Sequence, residues 1–218
     1  MYAASSLSDS YASLGTSFEA AHPAVKVRFQ FDGSSALVDQ LKQGAPADVF
    51  ASADRPNMDK ARTAGLISGT PSVFATNTLT IIVPKGNPAG ITGLDSSLAG
   101  KKLVVCADGV PCGTATTKLA TLLGVTLKPV SQETKVGDVR AKVESGQADA
   151  GVVYVTDAKA SGSKVDVIAI ANAAQVKNEY LVGVVATSKR SVLASQFVAL
   201  VAGSEGQKVL SGAGFTLP

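Results

Sequence analysis

Short extended segments alternate with helical ones along this sequence, and this alternation limits the possible folds more than any other feature. In the first helical segment, Leu7, Tyr11, Leu14 and Phe18 recur at the spacing of one helix face. Residues 78–83 are apolar and β-branched, which is typical of a strand buried on both faces. Strands separated by helices form mostly parallel sheets with helices packed on both sides. We therefore predict an α/β fold.

The predicted elements cover most of the chain. The predicted helices are 8–21, a segment ending at Gly44, 55–65, 114–123, 136–145, 192–201 and 205–210. The predicted strands are 25–31, 47–51, 78–83, 102–106, 150–154, 165–171 and 181–186. Asp54 is the expected N-cap of the third helix, because Pro56 follows in what would be the first turn.

The length of the chain suits two lobes better than one large sheet. The sequence has 218 residues, enough for two units of about 100 residues each. The strands at 78–83 and 181–186 are the expected crossing points, with the C-terminal helices returning to pack on the first lobe. We therefore predict a discontinuous first lobe, 1–79 with 184–218, and a second lobe, 80–183.

Composition and charge exclude several classes of partner. Hydrophobic residues make up 45% of the chain and charged residues 17%, which predicts a well-packed core. The net charge is only +3 and no dense Lys/Arg run occurs, so we expect no nucleic-acid partner. No apolar run approaches the length of a membrane span. No signal peptide is recognisable, and only Tyr2 and Ala3 separate Met1 from the first small-residue turn, which is short for a strand.

A strand end followed by a turn and the start of a helix recurs at four places. They are Ser5-Ser6, Gly33-Ser34-Ser35, the segment 110–114 and the segment 136–140. The first N–H groups of a helix have no partner within the helix, and the helix dipole favours an anion there. Each turn taken alone predicts only a helix cap or a tight turn. Four of them at strand ends predict one oxyanion site, because ligands of such sheets bind beyond the carboxyl ends of the strands.

Other kinds of site find little support. None of the four turns has the Gly-rich pattern of a nucleotide-binding loop, and His22 is the single histidine. A serine hydrolase needs a base beside its nucleophile, and a Ser–Lys pair is the arrangement that the sequence leaves open. We interpret Asp32, Asp48, Asp54 and Asp138 as caps and surface groups. We predict no metal site and no catalytic residue, and Tyr154 ends an apolar strand with a hydroxyl group to offer.

The two cysteines, Cys106 and Cys112, lie close together in the sequence. A small disulfide loop suits an oxidising compartment, and the alternative is two reduced cysteines near a strand end. We favour the disulfide.

Six segments together resemble the extracellular molybdate-binding protein of molybdate ABC transporters. They are 3–7 (AASSL), 33–35 (GSS), 44–54 (GAPADVFASAD), 138–140 (DVR), 151–157 (GVVYVTD) and 214–215 (GF). The resemblance covers essentially the whole chain in order, and the block 44–54 is its most specific part. It implies the two-lobed periplasmic-binding-protein fold, each lobe a mostly parallel sheet flanked by helices, with the ligand in the cleft between the lobes.

The resemblance also implies a ligand set made of neutral donors. Ser6 and Ser34 would each bind the oxyanion through hydroxyl and backbone N–H. The second lobe would add the backbone N–H groups of Cys112 and Val139 and the hydroxyl of Tyr154. Many relatives have a small apolar residue in place of Cys112, a change that a backbone contact tolerates.

The implied function is capture of molybdate or tungstate for delivery to a membrane ABC permease. We expect a monomer without cofactor or enzymatic activity, located outside the cytoplasm as a free or lipid-anchored protein. Three alternatives stay open at this stage. They are binding of another oxyanion (sulfate, thiosulfate or phosphate), a serine-dependent hydrolase, and a sensing domain detached from a regulator.

Overall fold

The structure is a computed structural model and describes residues 1–218. It contains ten strands and eight α-helices. The strands are β1 (Tyr2–Ala4), β2 (Gln30–Asp32), β3 (Val49–Ser52), β4 (Ile67–Asn77), β5 (Leu79–Pro84), β6 (Leu103–Cys106), β7 (Ser131–Glu133), β8 (Ala150–Tyr154), β9 (Val165–Ile168) and β10 (Asn178–Val185). The helices are α1 (Ser8–Ala21), α2 (Ser34–Lys42), α3 (Arg55–Thr63), α4 (Pro111–Leu123), α5 (Val136–Glu144), α6 (Val155–Ser161), α7 (Ser191–Ala202) and α8 (Ser204–Ala213).

The chain divides into two compact units. The first unit comprises Met1–Thr76 and Glu179–Pro218, and the second comprises Asn77–Asn178. Both boundaries therefore lie a few residues before those of the predicted lobes, 1–79 with 184–218 and 80–183. Strand pairing gives the physical reason: Leu79 of β5 pairs with Tyr154 in the second unit, and Leu181 of β10 pairs with Ser52 in the first.

The first unit is built on a sheet with the strand order β2-β1-β3-β10-β4. Strand β1 runs parallel to both β2 and β3, whereas β10 runs antiparallel to β3. Helix α1 has the predicted bounds. Its predicted apolar face, formed by Leu7, Tyr11, Leu14 and Phe18, lies in the core of this unit, which confirms the helical pattern.

The second unit has the strand order β7-β6-β8-β5-β9. Strand β6 is parallel to β7 and β8, and β5 is antiparallel to its neighbours β8 and β9. The two strands predicted to cross between lobes, β5 and β10, are thus antiparallel members of otherwise mostly parallel sheets.

The predicted strand at 25–31 is wrong over most of its length. The structure forms a strand only at Gln30–Asp32, although residues 25–31 alternate between apolar and polar. The register explains this difference, because β1 begins at Tyr2, which lies opposite Gln30. Strand β2 is also at the edge of the sheet, so residues 25–29 have no neighbouring strand to pair with.

Strands β4 and β7 and helix α6 were not predicted from the sequence. Strand β4 contains Gly69 and Pro71, which are typical of a loop, but it lies at the edge of its sheet, where proline is tolerated. Strand β7 has only three residues. Helix α6 follows β8 without a connecting residue, so no turn signal marks its start. No helix of the structure combines the length and the apolar character that crossing a bilayer requires.

Candidate functional site

Ser6 and Ser34 follow neighbouring strand ends in the first unit. Strands β1 and β2 pair in parallel with Ala4 opposite Asp32, so the chain leaves both strands at the same edge of the sheet. Ser6 lies in a 3₁₀ turn that leads directly into α1, and Ser34 is the first residue of α2. The strand–turn–helix pattern predicted from the sequence is therefore present at both serines.

The hydroxyl of Ser34 has a defined hydrogen-bonding state. The side chain is fully buried, and its Oγ accepts a hydrogen bond of 3.0 Å from the backbone N–H of Ala53. Ala53 comes directly after β3, so this bond joins the ends of two strands. A serine hydroxyl that accepts one bond still has its own proton to donate. Ser34 is thus held as a donor group.

The hydroxyl of Ser6 is paired with a second hydroxyl. Its Oγ lies 2.9 Å from the Oη of Tyr180, a fully buried residue of β10. The tyrosine ring makes edge contacts with Phe74 and Phe215, which hold it in place. Sequence reasoning missed Tyr180, although it is a polar residue just before the apolar run of the strand.

Asp54 lies between the end of β3 and the start of α3 and has a structural role. Its carboxylate caps α3, as predicted, by accepting a 3.0 Å bond from the backbone N–H of Asn57. The Asn57 amide also donates to both carboxylate oxygens. Burial raises the pKa of Asp54 above its usual value, against the opposing effect of these bonds.

The other three carboxylates weighed from the sequence also have local partners. Asp32 accepts from the backbone N–H of Gly33 at 2.8 Å, as a turn residue does. Asp48 accepts from the hydroxyl of Ser188 at 2.7 Å. Asp138 lies 3.9 Å from Lys135 on the helix surface. These contacts agree with the predicted capping and surface roles.

In the second unit, Cys112 lies at the start of α4, directly after Pro111. It forms a disulfide with Cys106, the last residue of β6, with the two Cα atoms 5.7 Å apart. The sequence favoured this disulfide. The next residue, Gly113, allows the helix to touch the strand end, because a Cβ there would lie 1.9 Å from the carbonyl oxygen of Ala107. The disulfide and this close contact together fix where the first N–H groups of α4 lie.

Tyr154 ends β8 with its hydroxyl engaged by Asn178. The Nδ2 of Asn178 donates to the Tyr154 Oη at 2.9 Å and lies 3.5 Å from the carbonyl oxygen of Pro111. Both side chains are buried. Asn178 therefore connects the predicted tyrosine ligand with the start of the helix that carries Cys112. Sequence reasoning missed Asn178 as well.

Val139 offers only its backbone. The side chain is fully buried in the core of the second unit. Its Cγ1 would lie 2.9 Å from a Cβ at Gly151, so α5 packs closely on β8. The first turn of α5 is tightened by a bond of 3.2 Å from the Asp138 N–H to the Lys135 carbonyl.

The structure therefore collects the predicted residues into one set in each unit. Ser6 and Ser34 share a sheet edge in the first unit. In the second unit, Cys112 and Tyr154 are connected through Asn178, and Val139 lies on the helix that packs against β8.

His22 is engaged elsewhere. Its ring stacks on Phe18 at 4.2 Å, and its Nδ1 lies 3.0 Å from the Phe18 carbonyl oxygen. His22 therefore packs against the last turn of α1. No group of three or more His, Cys, Asp or Glu side chains is placed to hold a metal ion.

One cavity of the first unit lies away from these residues. It has a volume of about 830 Å³. Met1, Arg28 and Asp48 line it, and they precede β1, β2 and β3 respectively. The cavity is therefore at the amino ends of these strands, whereas Ser6, Ser34 and Ala53 follow their carboxyl ends.

Comparisons with known proteins identify relatives over the whole length. The model of the bacterial extracellular solute-binding protein family matches residues 1–216. The molybdate-binding protein ModA of Mycobacterium tuberculosis is 45% identical over 219 residues, which are 100% of this chain and 84% of that protein. Its namesake from Escherichia coli is 30% identical over 228 residues, which are 100% of this chain and 88% of that protein.

A solved structure supports the fold independently. The periplasmic molybdate-binding protein of Azotobacter vinelandii superposes with a TM-score of 0.84, covering 100% of this chain and 98% of that one. The sequence identity is 21%, so this likeness establishes the two-lobed α/β fold and nothing finer.

Proposed function

This chain belongs to the bacterial extracellular solute-binding protein family, and from that premise we propose that it binds molybdate and delivers it to a membrane ABC permease. The observation that carries the proposal is the state of the Ser34 hydroxyl. The hydroxyl is buried and accepts a hydrogen bond from the Ala53 N–H. Because that N–H cannot accept in return, the hydroxyl proton needs a different acceptor. An oxyanion is an acceptor of that kind.

The proposed ligand set consists of neutral donors only. Ser6 and Ser34 would supply hydroxyl and backbone N–H groups, Cys112 and Val139 backbone N–H groups, and Tyr154 its hydroxyl. A hydrogen bond to a charged group contributes about 1.5–3 kcal/mol, so several of them replace the water around a dianion. Helix N-termini supply partial positive charge, and no lysine or arginine has to be buried.

A transport role fits this set better than catalysis. A serine nucleophile needs a base within hydrogen-bonding distance. The single histidine is bonded to Phe18, and the hydroxyls of Ser6 and Ser34 contact Tyr180 and Ala53 rather than a lysine. We therefore propose a monomeric binding protein without a cofactor and without enzymatic activity. Tungstate, which has the same charge and shape as molybdate, is proposed as a second ligand.

The test is a thermal-melt panel with molybdate, tungstate, sulfate and phosphate. A ligand present at about a hundred times its dissociation constant adds about 2.7 kcal/mol of stability. For a chain of this length that is a rise of about 5–10 °C in melting temperature. We expect the rise with molybdate and tungstate. If only sulfate or phosphate raises the melting temperature, that anion replaces molybdate as the proposed ligand. No rise with any of the four anions would contradict the proposal.

A variant pair tests the assignment of the serines. Replacing Ser6 and Ser34 together by alanine should abolish the molybdate shift, because it removes both hydroxyl donors of the first unit. Ser211→Ala is the matched control, since Ser211 is exposed on α8 and donates only to its own helix. Unchanged affinity in the double variant would contradict the site, although not the ligand.

A further inference from the structure

The first and third residues of strand β10 contact the hydroxyls of two different proposed ligand residues. Asn178 bonds to Tyr154, and Tyr180 bonds to Ser6. We propose that Asn178 and Tyr180 are positioning residues that fix the proton direction of these hydroxyls, so that both donate to the bound oxyanion. This inference rests on the proposed function and deepens it. It explains how hydroxyls that can both donate and accept are made to donate towards the anion.

The geometry around Asn178 defines which end of its amide faces Tyr154. The same nitrogen that lies 2.9 Å from the Tyr154 Oη is 3.5 Å from the Pro111 carbonyl oxygen. A carbonyl oxygen can only accept, so the amide presents its NH₂ group on this side. Asn178 therefore donates to Tyr154, and the phenol proton of Tyr154 must be directed elsewhere.

Ser34 shows the same arrangement with a backbone donor. The Ala53 N–H cannot accept a proton, so the bond of 3.0 Å can run only towards the Ser34 oxygen. In each unit, a proposed ligand hydroxyl thus accepts a hydrogen bond from a nitrogen that can only donate.

The Ser6–Tyr180 pair completes the pattern. Either oxygen can donate across the 2.9 Å contact, but a phenol is a stronger acid than an alkyl hydroxyl and so the better donor. Tyr180 then donates to Ser6, and the Ser6 proton is left for the anion. The edge contacts of Tyr180 with Phe74 and Phe215 hold its ring in the direction that this bond needs.

Tyr180→Phe tests the first-unit half of the proposal. It keeps the ring and removes the donor, so we expect molybdate affinity to fall about tenfold, the effect of weakening one bond to a charged ligand. Tyr11→Phe is the matched control, because Tyr11 is an equally buried tyrosine of the same unit whose hydroxyl has no partner. We expect unchanged affinity for Tyr11→Phe.

A double-mutant cycle separates positioning from a general structural role. If Tyr180 acts through Ser6, Tyr180→Phe has no further effect on affinity in the Ser6→Ala background. The melting temperature of the ligand-free Tyr180→Phe protein should stay within about 3 °C of wild type, the shift from losing roughly one hydrogen bond. Additive losses of affinity in the cycle would overturn the inference.

Asn178→Leu tests the second unit in the same way. We expect about a tenfold loss of molybdate affinity, and no further loss in the Tyr154→Phe background. Asn77→Leu is the control, because Asn77 is also buried but donates to Thr156. Asn178→Asp should bind more weakly than Asn178→Leu, since its carboxylate draws the Tyr154 proton away from the anion. The opposite order would overturn the inference, because it is what a space-filling role predicts.

Wild-type protein measured in the same titrations distinguishes the two levels of failure. A wild type that binds no molybdate refutes the proposed function and this inference together. A wild type that binds, beside Tyr180→Phe and Asn178→Leu proteins that bind equally well, refutes the inference alone.

Discussion

Gly113→Ala is the substitution whose effect follows most directly from the structure. Gly113 lies in the first turn of α4, next to Cys112, and an added Cβ would lie 1.9 Å from the Ala107 carbonyl oxygen and 2.7 Å from that of Cys106. Ordinary van der Waals contact for a Cβ begins at 3.4 Å. The start of the helix must therefore move by on the order of 1 Å, because both obstacles are backbone atoms.

Neither side of this contact can yield easily. Cys106 is the last residue of β6, which is paired with β7 on one side and with β8 on the other. The disulfide from Cys106 to Cys112 joins the helix to the same strand end. We assign the clash about 3 kcal/mol, the upper part of the usual range for overpacking.

Helix propensity opposes this cost. Alanine is about 1 kcal/mol better than glycine inside a helix, so the expected net loss is about 2 kcal/mol. For a chain of this length that lowers the melting temperature by about 4–8 °C. Molybdate affinity should fall as well, since the proposed Cys112 N–H donor moves with the helix.

Gly212→Ala is the control for propensity. Gly212 is an exposed residue of α8, and a Cβ there would meet nothing within 4 Å. We expect a gain of about 0.5–1 kcal/mol from the same substitution. Denaturant unfolding and thermal melts of both variants measure the difference. A Gly113→Ala protein that gains stability as Gly212→Ala does would refute the steric reasoning.

Three other perturbations have expected outcomes. Tyr11→Phe should raise the free energy of unfolding by about 1 kcal/mol, because the buried Tyr11 hydroxyl has no partner; a loss measured by denaturant unfolding would contradict this. Replacing Cys106 and Cys112 by serine should cost about 2 kcal/mol in thermal melts, the loop-closure value for a separation of six residues. Burial raises the folded-state pKa of Asp54 above 3.8, so its ionisation costs stability as pH rises. The Asp54→Asn protein should therefore be more stable relative to wild type at pH 7 than near pH 4. A stability difference that does not change with pH would refute this prediction.

Local patterns were sufficient for elements that carry their own signals. The apolar spacing of α1 and the Asp54 cap of α3 were both readable, and the structure confirms them. Strand β4 was not readable, because Gly69 and Pro71 indicate a loop unless the segment is known to lie at a sheet edge. The predicted strand at 25–31 failed for a related reason, since pairing depends on where the neighbouring strand begins.

The candidate site divides in the same way. The sequence by itself determined which residues are present as neutral donors, and it placed Ser6, Ser34 and Cys112 at helix starts after strands, because caps and turns are set by residues close together in the chain. Only the tertiary structure decided what their hydroxyls are bonded to. Ala53 is 19 residues from Ser34, and Tyr180 is 174 residues from Ser6. Such partners meet through sheet register, which local propensity does not encode, and register therefore determines the direction in which each hydroxyl points its proton.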